Sequence, residues 1–173
     1  MIELMDEKLS ATVGQELVRM AETDQAMRNR AMQGETWDSA VDSVNTERLK
    51  AIVQEHGWPT ISKFGLEASQ SAWLIVQHAD HDVDFQSYCL ELMQNENSDN
   101  INLTHLAYLE DRVRVNRRQP QLYGTQFFGT GTELKPQPIE DEEHLDERRA
   151  KVGLDSFEEY KKQIEEIDRT SKH

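Results

Sequence analysis

The chain has 173 residues, 36 % of them hydrophobic and 30 % charged, and its 33 acidic against 19 basic side chains give a formal net charge of -14. Such a length suffices for one core without disulfides or structural metal. The acidity excludes non-specific binding to nucleic acid or to anionic membrane, both of which need a basic patch, and suits either solubility or a basic protein partner.

The single cysteine, Cys89, rules out an intramolecular disulfide and fits a reducing compartment. No apolar run reaches the roughly 20 residues of a membrane span. Met1 to Asp6 lacks a basic segment followed by an apolar one, so no signal peptide is expected and the protein reads as cytoplasmic.

Apolar residues at helical spacing, from Leu9 through Val13, Leu17, Met20 and Met27 to Ala31, predict a first helix over about Asp6 to Met32. Asp24 lies on that stripe, and Arg28 one turn later is its natural ion partner. Glu35 to Val44 reads as a connector. Asn45 or Thr46 is expected to cap a second helix that stops at Gly57, before Trp58-Pro59 turns the chain out of the helical region.

The most apolar stretch of the chain follows, from Ala68 to Ala79, and it ends in Gln77, His78, Asp80, His81 and Asp82. Its composition predicts a central helix over 66–80, buried nearly all round. Imidazoles and carboxylates at the end of such a helix need partners, so other polar segments should meet there. Asp82 or Asp84 caps a helix over about Val83 to Gln94, with Phe85, Cys89, Leu92 and Met93 inside, and Asn102 caps another through about Val115. Asp111 on that helix sits beside apolar neighbours, next to Arg112.

Beyond Arg118 the pattern changes. Gln121-Leu122-Tyr123-Gly124-Thr125-Gln126 alternates as a strand does, Gly129-Thr130-Gly131 signals a turn, and Glu133 to Ile139 returns as an edge strand with two prolines. Glu140 to Val152 is helical again, with Arg149 on its stripe, and Asp155 or Ser156 caps a last helix carrying Phe157, Tyr160, Ile164 and Ile167. The fold class expected is mainly α, about six helices around the buried 66–80 helix with one small β-hairpin at about 121–139. Residues 1–173 form one domain in this reading, with 169–173 a frayed tail.

The candidate chemistry lies in the polar residues on these elements. His78 is the candidate general base or acid, with Asp80 or Asp111 orienting it. Asp24, Arg28, Gln77, Arg112, Gln121, Tyr123, Gln126 and Arg149 are candidate ligand-binding groups, an arginine holding an anionic part of a small molecule. General acid–base hydrolysis or transfer on an anionic substrate is the reaction class this suggests. An inhibitor or immunity-type protein for a basic partner, without catalysis, is the alternative from another class. His78 with Asp82 at i, i+4 suits a divalent metal, and His56, His81-Asp82 and Asp111 loosely resemble the H…HD…D order of the helical HD-domain phosphohydrolases. No metal or other cofactor is nevertheless expected, because that spacing is not one of a known structural site. Nucleoside-phosphate loops, the G-x-S-x-G nucleophile elbow and paired C-x-x-C motifs do not occur.

Asp24-Gln25 with Arg28, Gly57-Trp58-Pro59, Gln77-His78-Ala79-Asp80, Asp111-Arg112, Gln121-Leu122-Tyr123-Gly124-Thr125-Gln126 and Arg148-Arg149 before Val152-Gly153-Leu154 form an ordered set. In that set the chain resembles a family of bacterial helical proteins classed as a domain of unknown function. The resemblance implies no activity, substrate or cofactor, and it picks out the same polar residues.

Overall fold

The structure, a computed structural model, describes residues 2–170. They are mainly α-helical, with one small antiparallel hairpin, and they fall into two compact units with the boundary between Asn102 and Leu103. Among the described residues no helix is long and apolar enough to cross a membrane.

Unit 1 comprises α1 (Ile2–Met32), α2 (Ser39–His56), α3 (Ile61–Phe64), α4 (Leu66–Gln77) and α5 (Val83–Gln94). α4 packs against all four of the others. Its buried side is Ala68, Ala72, Ile75 and Val76, while Trp73 and Leu74 are half-buried, so it hides one broad face rather than its whole circumference. It also ends three residues earlier than expected, at Gln77, because His78 turns out of the helix and Ala79 to Asp82 make a tight connection into α5. Asp82 caps α5 by accepting the Phe85 amide at 3.0 Å. Inside α5, Leu90 rather than Leu92 joins Phe85, Cys89 and Met93 in the core, since the helix presents Gln86, Leu90 and Met93 on one continuous face.

α1 and α2 also differ from the sequence expectation. α1 buries Val13, Leu17, Ala21, Asp24 and Met27, but Leu9 is exposed, so its core stripe starts a turn late. α2 begins at Ser39, capped by the Asp38 carboxylate on the Ala40 amide, and Asn45 and Thr46 lie inside it. Both are buried because they satisfy themselves on backbone: Asn45 donates to the Met20 carbonyl at 3.2 Å and Thr46 to the Asp42 carbonyl at 2.8 Å. Gly57 ends α2 with a positive φ of 75°.

Unit 2 comprises α6 (Leu103–Asn116), β1 (Phe127–Phe128), β2 (Lys135–Pro136), α7 (Leu145–Lys151) and α8 (Phe157–Thr170). β1 and β2 pair antiparallel, Phe127 opposite Pro136 and Phe128 opposite Lys135. The hairpin is therefore much shorter than 121–139. Residues 121–126 are a loop, joined to the far side by an isolated bridge between Gln121 and Ile139 and by the Gln137 amide donating to the Gln126 carbonyl. α7 starts at Leu145 after one 3₁₀ turn. α8 opens with a capping box in which the Ser156 hydroxyl accepts the Glu159 amide and the Glu159 carboxylate accepts the Ser156 amide. Arg169 and Thr170, expected to fray, are the last residues of α8; residues 171–173 lie outside the described residues.

Candidate functional site

In unit 1 the i, i+4 spacing of Asp24 and Arg28 puts both on the face of α1 that meets the end of α4. Asp24 occupies a core position, 1 % exposed, where a carboxylate survives only with full pairing. It gets that pairing. Arg28 Nε donates to Oδ2 at 3.1 Å and Nη2 to Oδ1 at 3.3 Å, while Gln25 donates to Oδ2 at 2.9 Å. His78, swung out of α4, brings Nδ1 to 3.0 Å from Oδ1 and 2.9 Å from Oδ2.

The tautomer of His78 is assigned from the partners of Nδ1. Nδ1 also lies 3.0 Å from Arg28 Nε, so it faces one donor and two carboxylate oxygens. A bare Nδ1 would set its lone pair against the carboxylate, whereas Nδ1–H donates to it and leaves Arg28 to bond Asp24 directly. Among the described residues the His78 side chain is bonded only through Nδ1, so Nε2 is uncommitted. Arg28 is spent in this arrangement: Nη2 also donates to Asp42 at 2.7 Å, and Cζ lies 4.8 Å over the Trp37 ring.

Two carboxyl groups of this cluster are pushed apart in acidity. Burial raises the Asp24 pKa, but hydrogen bonds from His78 and then Arg28 outweigh it, so Asp24 stays below the ordinary range. Burial also raises Asp42, and there the Arg28 charge falls short of cancelling burial and the neighbouring Asp24, so Asp42 lies above it. The opposite shifts follow from one arginine shared by two desolvated acids, Asp24 gaining the His78 bond as well.

Around the turn after His78, Asp80 is exposed and accepts from Gln86 Nε2 at 3.2 Å. The fully buried Gln86 braces that turn by donating to the Val76 carbonyl at 3.0 Å as well. Gln77 is buried at the end of α4. Asp82, besides capping α5, pairs with Lys50 at 2.6 Å, and His81 is exposed. Among the described residues no three His, Cys, Asp or Glu side chains are grouped as ligands for a metal ion.

In unit 2 the remaining candidates gather on the 121–126 loop. Asp111, fully buried on α6, accepts the Leu122 and Tyr123 amides on Oδ1 at 2.7 and 2.9 Å, and the Thr125 amide and hydroxyl on Oδ2, both at 2.9 Å. Burial raises its pKa against the pull of those donors. Gln121, also fully buried, donates to the Gln126 and Gln137 carbonyls and accepts the Gln126 amide, taking the place of a strand partner. The Gln126 side chain donates to Thr125 Oγ1 at 3.0 Å and accepts from Arg112 Nη1 at 3.4 Å. Gly124, at φ 69°, lies so close to Phe157 that a Cβ would meet its ring at 2.8 Å. The alternation read as a strand is therefore a loop wrapped around one carboxylate. Tyr123 contributes its backbone to this loop and keeps its phenol half-buried, with a pKa raised by burial and then by Glu110. Arg149, 1 % exposed, closes the loop from α7 by donating from Nη1 to the Tyr123 carbonyl at 2.5 Å.

Asp42 and Trp37 escape the sequence reading. Both fall in the stretch read as a connector, and their approach to Arg28 spans turns that no helical spacing reveals. An earlier start of α2, signalled only by Asp38 as a cap, would have placed Asp42 in its first turn.

A model described as a family of unknown function (DUF6624) matches residues 11–170, and the chain belongs to that family. No curated protein and no solved structure matches it.

Proposed function

We propose that this protein is an enzyme acting on a small molecule by general acid–base catalysis, with His78 as the catalytic group. One observation carries the reading: the His78 ring is held through Nδ1 by a buried carboxylate while Nε2 is left uncommitted. Nε2 takes a proton from a bound water or hydroxyl as that oxygen attacks the substrate. The imidazolium so formed is stabilised by Asp24, and the same nitrogen returns the proton to the leaving group. Arg28 is a positioning residue, fixing Asp24 and Asp42, and its charge is already used by them. The Asp80 carboxylate and the Gln77 carbonyl, both bonded by Gln86, brace the turn that aims His78, and Asp111 is assigned to holding the 121–126 loop rather than to proton transfer.

The experiment is a panel of simple esters, phosphate esters, amides and glycosides assayed with wild type and with His78→Gln, alongside melting temperatures. Turnover on one class, falling about 10²–10⁴-fold in a His78→Gln protein that melts near wild type, is the expected result. Turnover that survives the substitution removes His78 from the chemistry.

A further inference from the structure

We infer that unit 2 carries a site for a small anionic group, a carboxylate or a phosphate, whose oxygen docks on Nη2 of Arg149. The guanidinium is buried and always charged, yet no carboxylate among the described residues forms an ion pair with it. Two of its nitrogens are fixed to neutral carbonyls, Nε to Asp155 at 2.6 Å and Nη1 to Tyr123 at 2.5 Å. Its face lies against aromatic rings, with Cζ 4.9 Å from the Tyr160 centroid and 5.9 Å from that of Phe157. Nη2 is buried as well and has no hydrogen-bond partner among the described residues.

A buried charge without a carboxylate in contact and a buried donor without an acceptor are each unfavourable, and Arg149 carries both, with Asp146 and Asp111 acting on it only from a distance. Asp111, the buried acid of the same unit, has both oxygens occupied by the 121–126 loop. Because Nε, Nη1 and the ring stack hold the guanidinium still, an arriving oxygen meets a donor already oriented, the arrangement that favours charge-assisted binding. α8, whose Phe157 and Tyr160 rings cover the guanidinium, has no fully buried side chain of its own. Arg149 and its neighbours carry this independently of His78.

The test is thermal unfolding of the full chain in inorganic phosphate or acetate, against sodium chloride at matched ionic strength. On a protein of net charge -14, generic anion attraction is absent, and screening acts equally for all three salts. The expected result is a saturable rise over chloride of roughly 3–6 °C at tenfold excess over the dissociation constant, absent in Arg149→Lys. Because Arg149→Lys can also loosen the loop, crystals of wild type grown with phosphate provide the second reading. An oxyanion within hydrogen-bond distance of Nη2 supports the site. A water alone there, or a response no larger than that to chloride, overturns it.

Discussion

His78 Nδ1 lies 2.9 Å from Asp24 Oδ2, across 54 residues of sequence. This contact joins the end of the most apolar helix of unit 1 to Asp24, a carboxylate on the buried stripe of α1. It explains why each residue tolerates its burial, since Asp24 neutralises Arg28 and orders the imidazole at once. The same contact leaves the outer nitrogen of the ring uncommitted.

Asp111 is predicted to matter for the loop before it matters for any reaction. Asp111→Asn keeps the shape but turns an NH₂ toward backbone donors, which should destabilise the protein by about 3 kcal/mol. Hydrogen exchange should quicken at the Leu122, Tyr123 and Thr125 amides, which bond the carboxylate, and much less at Phe85, which is capped by Asp82. Unchanged protection at those three amides would show that something else holds the loop.

Gly124→Ala combines a left-handed backbone at φ 69° with a Cβ pressed to 2.8 Å from the Phe157 ring, so a loss of about 2–4 kcal/mol in urea unfolding is expected. Trimming the ring with Phe157→Leu should recover part of that loss, because the steric share depends on Phe157 and the backbone share does not. Strict additivity of the two substitutions would place the whole cost in the backbone.

Acid sensitivity should begin with His105. Burial lowers its pKa from the ordinary 6.5 to about 4, so between those values the unfolded chain binds a proton that the folded chain refuses. Stability is therefore lost as pH falls from about 6.5 to about 4, and this group adds nothing further below. Asp24, with its lowered pKa, keeps its contribution above the ordinary carboxylate value and loses it only at still lower pH. Asp42 and Asp111, both raised, run the other way and favour the fold as pH falls. Urea midpoints of wild type and His105→Gln, compared from neutral to about pH 4.5, isolate the histidine: the variant should lose less. Parallel curves would mean that His105 is hydrated in the folded protein.

The helices are legible because their signals are local. Apolar spacing, the Asp82 cap, and the Gly57 stop before Trp58-Pro59 lie within a few residues of what they decide. The Asp24–Arg28 pair is legible for the same reason, being one helical turn apart. The start of α2 is not, because Asn45 and Thr46 look like caps and are buried polar residues paid for by carbonyls on α1 and on their own helix. Residues 121–126 look like a strand because alternation is blind to a carboxylate on another element, and Asp111 replaces the ladder that a strand would need. Asp42 and Trp37 join Arg28 through tertiary approach alone, which spacing along the chain does not encode.

The protonation of the His78 ring tests the central claim most directly. In long-range ¹H–¹⁵N spectra of wild type, at a pH where the ring is neutral, His78 should show a proton on Nδ1 and a bare Nε2. That preference should weaken in Asp24→Asn, whose amide no longer demands a donor. A neutral His78 carrying its proton on Nε2 would mean that the ring accepts from Arg28 instead, and the nitrogen assigned to catalysis would have no lone pair to offer.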